Sequence, residues 1–414
     1  REEETRTAIK DYRILGRTGF KVSDIALGGT ADEAGVLRYA FEKGINYIDT
    51  AEVYGNGKSE ERIGQALKHV DRKKIFITTK LIFPLEETQE KLLERFNKCQ
   101  ERLNTPYVDA LYIHLASDVK QVKHEGFHAA VKRLKSEGRL KHAGLSCHGD
   151  SGQGGQAMEK VLGAACEDGR FDLMLFVYNF MHRESGERIL KACRDHNIGT
   201  TIMKTAPGAI TIEPLDPDNL TEEYEKDVKT LMDEGMTRQE AIDEIREWID
   251  RQNVLIEKAR PFREKHGAQT NRQLKKAALQ WVLANPDVHT VCMRIRGFDD
   301  VDEYVPISGT RLSQAGTGFL EEYRQAFNHL YCRHGCRLCA EHCAHKLPVS
   351  TIMRYSYYFY NQGREKEAMT RYARLKDRNG SRCMACTAPC DGACPYGVDI
   401  KANLLMANAL LRLA

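Results

Sequence analysis

The stretch GINYIDTAEVYGNGKSEERIG, residues 44–64, is the one on which the reading of the fold turns. Its apolar run closes on Asp49, Tyr54 follows in a loop with Gly55 and Gly57, and an amphipathic segment covers 60–68. A short apolar run that ends on a polar residue and turn signals reads as a buried strand, and the periodic segment after it as a helix. The unit recurs. KIFITTK (74–80) closes on Lys80 ahead of a helical segment over 88–103, and VDALYIH (108–114) closes on His114 ahead of another over 129–136.

Working outward in both directions gives eight strand candidates, at 25–29, 45–49, 75–80, 109–114, 142–146, 172–178, 199–204 and 288–292. Strands alternating with helical crossovers predict an α/β fold with a parallel sheet. Eight of them fit a closed (β/α)8 TIM barrel better than an open sheet, although periodicity does not separate the two. In such a barrel the C-terminal strand ends converge on one face. Asp49, Lys80 and His114, with Tyr54 just beyond its strand, are thereby expected to meet.

Composition bounds the rest. A chain of 414 residues suits a barrel plus a second domain, and 42% hydrophobic with 29% charged residues is ordinary for a globular protein. No run approaches the roughly 18 apolar residues of a membrane span. The 62 Lys and Arg against 59 Asp and Glu leave a formal +3, with no basic run interleaved with aromatics, so neither nucleic acid nor membrane is expected as a partner. A cytoplasmic location is the expectation. The alternative is the periplasm after twin-arginine export, if a leader was removed before Arg1.

The four strand-end residues make coherent chemistry. Reducing a carbonyl requires hydride at carbon and a proton at oxygen. Tyr54 can supply the proton, an adjacent Lys80 ammonium would favour the phenolate, Asp49 would hold Lys80, and His114 would orient the substrate oxygen. Any one of them alone reads as an ordinary loop ion pair; the ordered set does not.

YIDTAEVYG, ITTK and LYIH closely resemble motifs of the aldo-keto reductase family, as do KSEGRLKHAGLS (135–146) and LQWVLANPDV (279–288), all in family order. The resemblance spans roughly residues 12–305. It implies a (β/α)8 barrel, a small-molecule carbonyl or alcohol substrate, NADP(H) as hydride donor and the tetrad Asp49, Tyr54, Lys80 and His114. It also implies cofactor contacts at Ser146, at Lys204, and at Arg294 and Arg296, whose guanidinium groups suit a phosphate. Cys147 stands where the family has Asn, Leu175 where it has Gln, and Met203–Lys204 where an aromatic normally stacks on the nicotinamide.

Cysteine marks a second unit. Of 13 cysteines, eight fall between Cys332 and Cys394, in CRHGCRLCAEHC (Cys332, Cys336, Cys339, Cys343) and CMACTAPCDGACP (Cys383, Cys386, Cys390, Cys394). Dense local clusters in a large chain argue for metal ligation rather than a disulfide scaffold. Zinc is the rival metal, but two sets of four cysteines, one ending in Cys-Pro, favour iron–sulfur. The segment is similar to two-cluster ferredoxins, which implies two 4Fe–4S clusters with the fourth ligands crossed: Cys332, Cys336 and Cys339 with Cys394, and Cys383, Cys386 and Cys390 with Cys343.

The domain division is therefore 1–330 for the barrel and 331–414 for a mainly α-helical ferredoxin-like domain. The segment 353–375 between the cysteine sets reads as helical, and its tyrosines are expected to pack around the clusters. This tail carries 13 Lys and Arg against 6 Asp and Glu, a formal +7, which two anionic clusters would partly neutralise and which could also attract an acidic redox partner protein. A charged, helix-rich insertion at about 209–271 follows the seventh strand, either as a solvated hairpin or as a lid or dock for the tail. Two readings of the whole remain. One is an oxidoreductase whose clusters transfer electrons or lend structure. The other is a barrel without turnover that scaffolds an electron-transfer or redox-sensing module.

Overall fold

The computed structural model describes residues 8–29, 33–149, 155–207, 236–267, 271–362 and 364–412, with a few single positions between 216 and 232. Much of the insertion at 209–235 lies outside the described residues. Among the described residues ten strands are present: β1 (Tyr12–Ile14), β2 (Lys21–Ser23), β3 (Ile25–Gly28), β4 (Tyr47–Asp49), β5 (Phe76–Leu81), β6 (Val108–Ile113), β7 (Leu140–Cys147), β8 (Leu173–Val177), β9 (Gly199–Met203) and β10 (Thr290–Met293). β1 and β2 form an antiparallel hairpin. The other eight close into a parallel barrel, β3 to β9 in chain order and β10 between β9 and β3. All eight expected strands are found, with ends shifted by up to two residues.

The two-residue period of a strand sorts the side chains. Ile48, Ile77, Leu111, Leu145 and Ile202 face outward onto helices, where Phe96 and Leu103 of the helix Gln89–Leu103 join one continuous core. Tyr47, Phe76, Tyr112 and Leu175 face inward and form a separate axial core. The Tyr47 and Phe76 rings stack at 5.4 Å, and the hydroxyls of Tyr47 and Tyr112 lie 3.3 Å apart. Gly144 on β7 makes room for this filling, because a Cβ there would stand 2.6 Å from the Tyr112 ring. Leu15 and Val22, at the ends of the hairpin, belong to the same axial core and plug the N-terminal end. Asp49, Lys80 and His114 share the inward parity of Tyr47, Phe76 and Tyr112, so the same alternation aims them into the open end.

In the insertion, the helix Arg238–His266 starts on a capping box between Thr237 and Glu240. Phe262 near its end packs against Phe319, Tyr323 and Phe327, in a cluster that also holds Phe180 of the barrel and Tyr331 of the tail. The described part of the insertion thus meets both the barrel and the start of the tail.

The tail builds its own apolar core from Ile352, Tyr372, Leu404 and Leu411, among others. The segment expected to be helical forms two helices, Val349–Gln362 and Glu365–Ala373, and a third helix, Ile400–Leu411, packs against both. No described helix is long and apolar enough to cross a membrane.

Candidate active site

The open end of the barrel brings the four strand-end residues together. Lys80 Nζ donates to Asp49 Oδ2 at 2.5 Å and to the Thr50 carbonyl at 2.6 Å. Thr78 Oγ1 donates to the other Asp49 oxygen at 2.7 Å, so both carboxylate oxygens are engaged. Lys80 and Asp49 are buried, a setting in which an ion pair survives only when its geometry and hydrogen bonds are complete. Lys80 Nζ lies 4.8 Å from the centre of the Tyr54 ring, and His114 meets that ring edge-on at 5.7 Å between centroids.

Burial and charge fix the protonation states. Burial raises the Tyr54 phenol above its ordinary value, and the opposing pull of Lys80 does not overcome it. Lys80 pulls in the expected direction, and desolvation outweighs it. Burial works to lower the Lys80 ammonium, yet Asp49 and Tyr54 hold it above its usual value. Burial, then the nearby Lys80 and Arg371, drive His114 well below the usual histidine range, so it is a neutral imidazole. Its Nδ1 is buried without a hydrogen-bond partner. The site therefore holds a protonated phenol beside a fixed ammonium and a neutral imidazole, a set able to give one proton and orient one oxygen.

The expected cofactor contacts are placed less uniformly. Ser146 is fully buried on β7, its hydroxyl accepting from the Leu115 amide at 3.1 Å and donating to the Ile113 carbonyl at 3.4 Å. Cys147 faces the outer core and Leu175 the axial one. Arg294 and Arg296 are exposed beyond β10. Lys204, just beyond β9, has φ +55°, a left-handed conformation uncommon outside glycine. Its Nζ lies 2.9 Å from His148 Nδ1 and 3.3 Å from the hydroxyl of Tyr358.

That last contact comes from the tail, which sits against the barrel mouth. Arg354 donates to the His148 carbonyl at 3.2 Å, Tyr331 shares a hydrogen bond of 2.9 Å with His334, and Asn179 donates to the Tyr331 hydroxyl at 3.3 Å. Gly149 and Gly335 press backbone to backbone, since a Cβ on Gly149 would overlap the Gly335 Cα. The tyrosines of the tail do not serve only as packing around cysteines: Tyr358 reaches Lys204. His148, His334, Arg354, Tyr358, Arg364 and Arg371 were not singled out from the sequence. The only hint was a tyrosine-rich helix alternating with arginines.

None of the eight clustered cysteines is in a disulfide. Cys332 lies within electrostatic reach of Cys336, Cys339 and Cys394, and Cys383 within reach of Cys343, Cys386 and Cys390. Cys343 Sγ accepts from the Leu347 amide at 3.4 Å and Cys386 Sγ from the Ala388 amide at 3.5 Å. Among the described residues, no three His, Cys, Asp or Glu converge tightly enough to hold a single metal ion.

Comparison with known proteins follows the same lines. The model of the aldo/keto reductase family matches residues 29–322. A Glycine max protein named "Probable aldo-keto reductase 1" is 30% identical over 206 residues, 45% of this chain and 56% of that one. The versiconal hemiacetal acetate reductase of Aspergillus parasiticus is 23% identical over 359 residues, 75% of this chain and 96% of its own length. The chain spans 56% of the soybean protein and 36% of a Schizosaccharomyces pombe protein to which it is 39% identical over 123 residues. Among solved structures, an aldo-keto reductase of Bacillus halodurans in its holo form superposes with TM-score 0.53 at 21% identity, covering 75% of this chain and 95% of that one, a likeness of fold alone.

Proposed function

Because this chain belongs to the aldo/keto reductase family, we propose that it interconverts a small-molecule carbonyl and its alcohol at Tyr54, Lys80, Asp49 and His114. One observation carries the reading: Tyr54 stands beside a buried Lys80–Asp49 pair, with His114 at its edge. In the reducing direction Tyr54 gives its proton to the carbonyl oxygen, Lys80 stabilises the phenolate left behind, and Asp49 keeps Lys80 in place. His114 donates to the same oxygen and sets the face of attack.

NADP(H) is the proposed hydride donor; when bound it supplies the hydride that carbon receives. Arg294 and Arg296 suit its phosphate. The amide end is less well served, because the Ser146 hydroxyl is spent on backbone and Leu175 is apolar. Replacing Tyr54 with Phe is expected to lower kcat by about 100-fold or more while leaving the fold intact. Full activity in that variant, measured as NADPH oxidation with an aldehyde, would overturn the reading.

For the tail the proposal is two 4Fe–4S clusters, one held by Cys332, Cys336, Cys339 and Cys394 and the other by Cys383, Cys386, Cys390 and Cys343. Support comes from eight cysteines outside any disulfide, their crossed proximity and the amide donors to Cys343 and Cys386. The clusters supply one-electron chemistry, and a redox partner protein is part of this proposal. The second reading, a barrel without turnover serving a redox module, is favoured by the tail sitting at the mouth beside Lys204. The Tyr54→Phe measurement separates the two.

A further inference from the structure

Four cations gather at the mouth of the barrel: Arg354 is buried, and Lys204, Arg364 and Arg371 are half-buried. Lys204 has only His148 and Tyr358 as hydrogen-bond partners, and no carboxylate pairs with it among the described residues. Arg364 stands 4.7 Å from the Tyr358 ring centre, and the Lys204 ammonium 5.0 Å from it. One carboxylate, Glu367, serves both Arg364 and Arg371, with Arg371 Nε at 2.8 Å. Arg354, the buried member, completes the group against His148.

These cations act on the reacting residues. Arg364 is within electrostatic reach of Tyr54, and Arg371 of His114. His114 Nδ1 and His334 Nε2 are both buried without partners. Burial lowers the Lys204 ammonium to about 8, and although burial alone would raise Tyr358, the cations around it bring its phenol down to about 8. A half-buried ammonium with no carboxylate partner among the described residues is costly to hold, and Lys204 is held on a left-handed backbone as well. Such an arrangement is expected where a ligand brings the missing negative charge.

We propose that Lys204, Arg354, Arg364 and Arg371 form an oxyanion-binding site beside Tyr54 and His114, so that the molecule bound at the mouth carries a carboxylate or phosphate gripped by barrel and tail together. The inference rests on the reading of Tyr54 and His114 as the reacting end. The oxyanion has two sources, a carboxylate on the substrate or a phosphate of the nucleotide.

Calorimetric titration of the full chain with benzoate, neutral benzamide and inorganic pyrophosphate tests it without requiring turnover. At least one of the two anions should bind at least tenfold tighter than benzamide. Preference for benzoate assigns the site to substrate, and preference for pyrophosphate assigns it to the nucleotide. Lys204→Met and Arg371→Gln should each weaken the preferred anion by about 10-fold or more, and Lys204→Arg should retain it. Anions that bind no tighter than benzamide, or folded Lys204→Met and Arg371→Gln variants that bind as the parent does, would overturn the site. An inactive parent chain that still binds the anion would sink only the reductase reading.

Discussion

At the scale of single residues, Lys80 has two duties that can be pulled apart. It steadies the phenolate of Tyr54, and it neutralises a carboxylate that both hydrogen bonds and burial have locked in place. Lys80→Met alone strands the Asp49 charge in the interior and should cost roughly 3–5 kcal/mol of stability, along with the activity. The double variant Lys80→Met with Asp49→Leu should regain most of that stability and none of the activity. Urea unfolding beside an aldehyde assay checks both, and a double variant as unstable as the single one would refute the ion-pair account. These residues were legible in the sequence because each closes an apolar run, and a strand end has a known destination in a barrel. Lys204 with Tyr358 was not legible. The two are 154 positions apart, and no local pattern announces that a tyrosine from a distant helix will meet a lysine beyond β9.

At the scale of elements, barrel and tail meet backbone to backbone at one point. Gly149 (φ +80°) and Gly335 (φ +76°) both occupy left-handed backbone, and the Met158 amide donates to the Gly335 carbonyl at 3.2 Å. A Cβ on Gly335 would stand 2.7 Å from Met158 Cβ. Gly335→Ala should therefore loosen the tail while leaving the barrel closed, at a cost of about 1–2 kcal/mol from backbone strain plus that of the contact. Limited proteolysis should release the tail faster in this variant, with unchanged far-ultraviolet dichroism from the barrel. Equal protection of the tail would argue against a tight junction. The strands were foreseeable from their apolar runs, whereas the helical reading of 353–375 did not divide the segment into Val349–Gln362 and Glu365–Ala373.

At the scale of the whole molecule, buried neutral histidines set the response to acid. Burial lowers His182 and His289 to about 4, and His114, His148 and His334 are depressed by the same cause. The unfolded chain takes up these protons below the ordinary histidine value near 6.5, while the folded chain refuses them. Their stabilising contribution is thus complete above pH 6.5 and is lost as the pH falls toward 4. For the well-buried His182 a shift of this size is worth on the order of 3 kcal/mol. The urea midpoint should fall steeply over that window, and His182→Gln should flatten the slope; a flat parent profile would contradict the assignment.

The tail offers a second global measurement. Protein purified without air should carry about eight irons and eight sulfides per chain. NADPH alone should leave the visible absorbance in place, because hydride carriers move two electrons and such clusters one, whereas dithionite should bleach it. Zinc in place of iron would remove the ferredoxin half of the proposal and leave the barrel untouched.

The contact between Lys204 and Tyr358 also imposes a timetable. A ribosome releases the barrel strands before the tail that lies against their open end, and domains generally fold in the order they emerge. The mouth is therefore uncovered during synthesis and meets its roof only when the tail has been made and has acquired its own core. Whatever must be loaded early has that interval to enter, and a chain stalled before residue 358 would present Lys204 and His148 to the surrounding water.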